Sequence, residues 1–175
     1  MRRFVKNWPN RKKAKSELLM IVDLERNDLN KICEPGSVIV PDLFAVEEYA
    51  TVFHLIANVI GTLKPNQTAI DALSALFPGG SITGAPKRRA MEIIDELEPA
   101  DRGIYGGTVG YFDFSGNMDM AIAIRTAFLC DHEASVQAGA GIVLDSVPAP
   151  NGRRPATRAE ASVESIQIAA QLREL

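Results

Sequence analysis

Three apolar stretches separated by very short polar turns constrain this chain more than anything else in its 175 residues: YGGTVGYFDF from Tyr105, MDMAIAIRTAFLC from Met118 and ASVQAGAGIVLD from Ala134. Each suits a pleated strand, and the connections SGN and DHE have the length of hairpin turns. Two earlier stretches, SVIVPDLFAV from Ser37 and TVFHLIANVIGTL from Thr51, are rich in β-branched residues and read as strands separated by a polar stretch around Glu47 and Glu48. Their apolar character on both faces predicts a sheet covered on both sides. Helical spacing appears elsewhere. SELLMIVDLERNDLNKI carries Leu18, Ile21 and Val22 on one face, with Ser16 as a candidate cap and Pro35-Gly36 as the stop. A short helix is expected over Thr68 to Leu76, another from Pro86 with Ala90, Met91, Ile94 and Leu97 along one side, and a last one from Thr157 to Leu175. The pattern predicts an α+β fold, mainly antiparallel sheet with helices packed on it.

With 46% hydrophobic and 23% charged residues the chain has enough apolar surface to build a core. A net charge of −3 and a pI near 5.5 argue against nucleic acid as the main partner. No apolar run reaches the length of a membrane span, so no membrane association is expected. Cys33 and Cys130 lie far apart and there are two histidines, a composition that suggests neither a disulfide framework nor a zinc site and points to the cytoplasm. Positive charge is gathered at the start, where Arg2, Arg3, Lys6, Arg11, Lys12, Lys13 and Lys15 precede the first acid. Residues 1–16 therefore read as a basic tail and 17–175 as the folded part.

Alternation along MDMAIAIRTAFLC places Asp119, Ala121, Ala123 and Arg125 on one face, so an arginine stands over a floor of alanines. Gln137, Gly139 and Gly141 share a face in QAGAGIV that is almost bare of side chains, a feature that marks close approach of a ligand or another backbone. Together they sketch a shallow pocket with an arginine fork suited to a carboxylate or phosphate. Each residue also has an ordinary structural role open to it. Arg125 can pair with Asp119, the glycines can mark a bulge, His54 can be a hydrogen-bonded core histidine, and Glu17 can be a first-turn carboxylate. The segment FPGGSITGAPK, a glycine-rich turn before a helix, fits neither the P-loop nor the dinucleotide fingerprint.

The motifs GGSITGAPKRRAMEIIDELEP, LLMIVDLERNDL, FHLIANV, RGIYGGTVGYFDFSGNMDMAIAIRT and QAGAGIVLDSVP closely resemble, in the same order, the C-terminal half of the chorismate-utilising enzymes. That family includes component I of aminodeoxychorismate synthase and of anthranilate synthase. The resemblance runs from about Glu17 to Pro148 and implies a partial anthranilate-synthase-type fold. It further implies that Glu17 matches a carboxylate holding Mg²⁺ and His54 a histidine beside the departing ring hydroxyl. Thr83 and Gly84 match a loop lining the site. Tyr105 and Arg125 match the pair gripping the enolpyruvyl carboxylate, and Gly139, Ala140 and Gly141 the backbone that meets the same group. The implied partners are chorismate and a glutamine amidotransferase subunit that delivers ammonia.

Departures from the family pattern define the alternatives. The family's domain is longer, and its second magnesium-binding glutamate finds no match in register, since Glu160 and Glu164 are the nearest carboxylates; Ala14 stands where members often carry an acid. GGSITGAPK and GNMD favour the aminodeoxychorismate type, QAGAGIVLDSVP the anthranilate type. A further alternative is a truncated, non-catalytic fragment that only binds a ligand or partner.

Overall fold

In the computed structural model, which describes residues 12–50, 52–131, 133–142, 159–160 and 162–168, the longest element is helix α1 (Lys12–Ile32). It begins inside the segment read as a tail, and Ser16 lies within it rather than capping it. The reason is local, because lysine and alanine favour helix and nothing in KKAK breaks one. Residues through Arg11 fall outside the described part. One face of α1 carries half-buried Leu18, Ile21 and Leu29 with buried Val22 and Ile32, the stripe expected of a 3.6-residue repeat. Asp28 lies on that face, 2% exposed, with its Oδ1 2.8 Å from the Lys31 ammonium.

The chain divides into two units, Met1–Gly80 and Ser81–Leu175. In the first, α1 ends as read from Pro35-Gly36, and its last carbonyls are taken by a distant lysine. The Lys64 backbone N–H donates to Ile32 at 2.9 Å, and its ammonium to Lys31 at 2.8 Å, answering the orphan acceptors of a helix end. Strands β1 (Ile39–Glu48) and β2 (Phe53–Ile60) form an antiparallel ribbon. Pro41, which cannot donate to a ladder, sits in its first register shift, and Phe44, at φ 61°, in the second. Glu47 and Glu48 pair with His54 and Phe53, so these acids close the ribbon instead of separating the strands. Among the described residues α1 is the element packed most against this ribbon, and Ile39 and Ile60 are 52% and 50% exposed. Helix α2 (Ala69–Leu76) packs on α1, and Thr68 and Asp71 form a reciprocal capping box.

In the loop FPGGSITGAPK, Gly80–Thr83 forms a single helical turn, α3. Pro86 caps helix α4 (Lys87–Leu97), one position ahead of the expected one, and of the predicted apolar side Ala90 and Ile94 are half-buried while Leu97 is exposed. Strands β3 (Thr108–Phe112) and β4 (Met118–Ile122) make the hairpin read from SGN. Asp113 closes that turn by accepting from the Ser115 and Asn117 N–H groups, both at 2.8 Å, and its carboxyl is held below the ordinary value chiefly by the Asn117 side-chain amide. Strands β5 (Ala127–Cys130) and β6 (Glu133–Val136) form the second hairpin.

Two expectations change here. The stretch from Met118 to Cys130 is two strands, broken between Ile122 and Ala127, so the alternation that placed Arg125 on the face of Asp119 stops short of it. Residues 137–142 carry no strand, and 143–145 lie outside the described residues. Among the described residues the expected sheet is therefore three two-stranded ribbons. Residues 159–160 and 162–168 are helical, while Thr157 and Ala170 lie outside the described part. No helix among the described residues is long and apolar enough to cross a membrane.

Candidate functional site

The site in the second unit is built around the turn between α4 and β3. Arg102 reaches back four residues to Glu98, with Nε 2.9 Å from Oε2 and Nη2 on Oε1. Its Nη1 donates to the Ile82 carbonyl at 2.8 Å, and its guanidinium carbon lies 5.5 Å from the centre of the Tyr105 ring. The fork holds the Glu98 carboxyl below its ordinary range, and the hydrogen bond to Glu98 raises Arg102. Gly106, at φ 77°, is required on two counts: the conformation is left-handed, and a Cβ there would stand 2.5 Å from Ile82 Cγ2. Gly106 N–H donates to the Ala123 carbonyl at 2.9 Å and Ala123 N–H to Gly107 at 2.8 Å, so the turn is pinned to the end of β4.

Tyr105, half-buried, points its hydroxyl at Gly139, where an added Cβ would stand 2.8 Å from the oxygen. These two sequence-derived residues are thus neighbours. Gly139 and Ala140 are half-buried, and Gly141 is exposed with nothing within 4 Å of the place a Cβ would occupy. Thr83 and Gly84 follow Ile82 directly, and so share the turn that Arg102 holds. Gly84 has φ 126°, and a Cβ on it would press on Ala90 at 3.2 Å. Arg125 is exposed in the break between β4 and β5, two residues past Ala123, with φ 54° and its carbonyl 3.4 Å from the Ser162 hydroxyl. A left-handed arginine costs backbone energy, and such residues gather at functional sites.

In the first unit, Glu17 is exposed on α1. His54 is exposed on β2 opposite Glu47, which removes the core-histidine reading. The Tyr49 ring meets its imidazole edge-on at 5.4 Å, and the Tyr49 hydroxyl donates to Glu47 Oε2 at 2.6 Å, an interaction that raises the phenol. Among the described residues no group of three or more His, Cys, Asp or Glu side chains is placed to hold a metal ion. Sequence reasoning missed Arg102, Glu98 and Tyr49. Glu98 and Arg102 lie beyond the end of α4 at Leu97, so helical i,i+4 spacing did not announce the first pair.

The Glu98 shift has a sign that can be tested. Because its folded value is depressed, the pair's contribution to stability is complete above the ordinary glutamate range of about 4.3 and fades as pH falls through the lower folded value. Thermal melts are expected to show Glu98→Gln less stable than the parent at pH 7, with the gap closing below about pH 4. A gap constant with pH would remove the ion pair as its cause.

The second unit thus sets the Tyr105 hydroxyl against the Gly139 backbone and holds the glycine-rich Ile82–Gly84 turn through Arg102. The chain belongs to the family of chorismate binding enzymes, whose model matches residues 7–151. It is 49% identical over 162 residues to anthranilate synthase component 1 of Aquifex aeolicus, covering 93% of this chain and 33% of that protein. With the same component of Pseudomonas putida it shares 51% over 156 residues, 89% of this chain and 32% of the relative. The crystal structure of anthranilate synthase component I from Streptococcus pneumoniae superposes with a TM-score of 0.74 at 45% identity, over 87% of this chain and 33% of that one. A 2,3-dihydroxybenzoate-specific isochorismate synthase structure from Bacillus anthracis gives 0.78 at 26% identity, over 98% and 44%. The chain spans about a third of the length of the curated relatives it matches. These relatives favour the anthranilate alternative over the aminodeoxychorismate type, since identity over most of the chain outweighs the two short motifs that pointed the other way.

Proposed function

We propose that this chain forms part of the chorismate site of an anthranilate synthase component I, which aminates chorismate with ammonia from a glutamine amidotransferase subunit and requires Mg²⁺. The observation that carries the reading is the Tyr105 hydroxyl set against the Gly139 backbone, in a chain about half identical to component I relatives. In this reading the Arg125 fork takes the enolpyruvyl carboxylate and Tyr105 donates a further hydrogen bond to it. Gly139, Ala140 and Gly141 let that group approach the main chain, while Thr83 and Gly84 line the ring. His54 is assigned by the family resemblance alone to the departing allylic hydroxyl. Glu17 is the carboxylate offered to Mg²⁺. One carboxylate suits an ion that keeps several waters and takes other ligands from a substrate. When bound, the ion supplies charge neutralisation at a ring carboxylate.

Titration calorimetry of chorismate into the 175-residue chain tests this. Binding heat is expected with Mg²⁺ present and much less after chelation; no heat with Mg²⁺ would sink the reading for this chain. That no group of three or more metal-holding side chains is found among the described residues supports a second reading, a chain that binds chorismate without turning it over. Heat of binding with no aromatic product after addition of an ammonium salt would favour it.

A further inference from the structure

We infer that Arg102 is a positioning residue that locks the Ile82–Gly84 turn and Tyr105 into one arrangement through its fork with Glu98; this rests on reading Thr83, Gly84 and Tyr105 as chorismate-facing groups. A four-residue helix such as α3 cannot hold itself, because nucleating a single turn is unfavourable and its terminal carbonyls have no partner within the helix. The position of Ile82 must come from outside, and Arg102 Nη1 supplies the bond at 2.8 Å. The same guanidinium covers the Tyr105 ring at 5.5 Å and is itself fixed by two bonds to Glu98. The side chains of Arg102 and Glu98 are 22% and 34% exposed, so the fork is partly shielded from water. Gly106 closes the arrangement from the other side by leaving room for Ile82 Cγ2. One planar cation thus serves a carboxylate, a carbonyl and an aromatic face together. A lysine ammonium has no fork and no flat face with which to do all three.

Amide spectra of the full chain decide the point without any ligand. Arg102→Gln is expected to move the signals of both Thr83–Gly84 and Gly106–Gly139, with Asn58 unmoved. Arg88→Gln, on a side chain 94% exposed, should move neither set. If only one set shifts, or neither, the proposal is overturned. Should Arg102→Gln fail to fold, Glu98→Gln, which keeps the Arg102 donor for Ile82, takes its place with the same expected pattern. Chorismate affinity with Mg²⁺, measured far below the melting transition where lost stability leaves the folded population unchanged, is the second readout. Arg102→Gln should bind at least tenfold more weakly and Arg102→Lys fall between; unchanged affinity in Arg102→Gln also overturns the proposal. If the parent chain binds no chorismate, the functional reading fails on its own and the amide pattern still judges Arg102.

Discussion

Gly139→Ala is expected to weaken chorismate binding by about 10- to 100-fold while leaving the thermal midpoint almost unchanged. The added Cβ would stand 2.8 Å from the Tyr105 hydroxyl oxygen, 3.7 Å from Cζ and 3.9 Å from Cε1. Only the hydroxyl is crowded, and it is the far end of a side chain that can turn aside, so the fold loses about 0.5 kcal/mol or less. The ligand loses more. A hydrogen bond to a charged group contributes about 1.5–3 kcal/mol, roughly one to two powers of ten in affinity. Calorimetry and a melt on the same sample separate the two effects. Parent-like affinity in Gly139→Ala would mean that Tyr105 does not grip the ligand, and a large drop in midpoint would mean that the glycine serves packing instead.

How much of this was readable beforehand depended on the distance over which each interaction acts. The helices α1, α2 and α4 and both hairpin turns follow from spacing within a few residues, as with the Thr68–Asp71 capping box or the Asp113 turn. The break at Arg125 did not, because Ala123 to Thr126 contains neither glycine nor proline to announce a change of direction. Apolar faces on β1 and β2 announce a need for cover without saying what supplies it, and among the described residues Ile39 and Ile60 stay exposed. Arg102 shows the same limit within the site. Its pairing with Glu98 spans four residues of non-helical chain beyond α4 and its bond to Ile82 spans 20, so helical periodicity announced neither. The neighbourhood of Tyr105 and Gly139 was reached through resemblance to a family, since no local pattern joins them.

Gly110→Ala is expected to be the most damaging of the small glycine substitutions, lowering stability by about 1–3 kcal/mol, the range for overpacking. Gly110 pairs with Met120 across the β3–β4 hairpin, and a Cβ there would fall on the Asp119 carbonyl oxygen, 2.6 Å from Met120 Sδ and 2.8 Å from Met120 Cα. The sulfur can move, but the two backbone atoms cannot without opening the ladder. In a domain of this size such a loss corresponds to roughly 2–12 °C in the midpoint. Gly141→Ala, which meets nothing within 4 Å, serves as the stability control and should stay within about 0.5 kcal/mol. The damage should also reach the site. Thr108 pairs with Ile122, and the adjoining bonds join Ala123 to Gly106 and Gly107, so a shifted hairpin carries the turn bearing Tyr105 with it. Hydrogen exchange should therefore quicken in Gly110→Ala at Thr108–Phe112 and at the Gly106 and Ala123 amides together. Faster exchange confined to the strand tip near Asp113 would show that the hairpin and the Tyr105 turn are held independently, and the link between sheet register and site geometry would be lost.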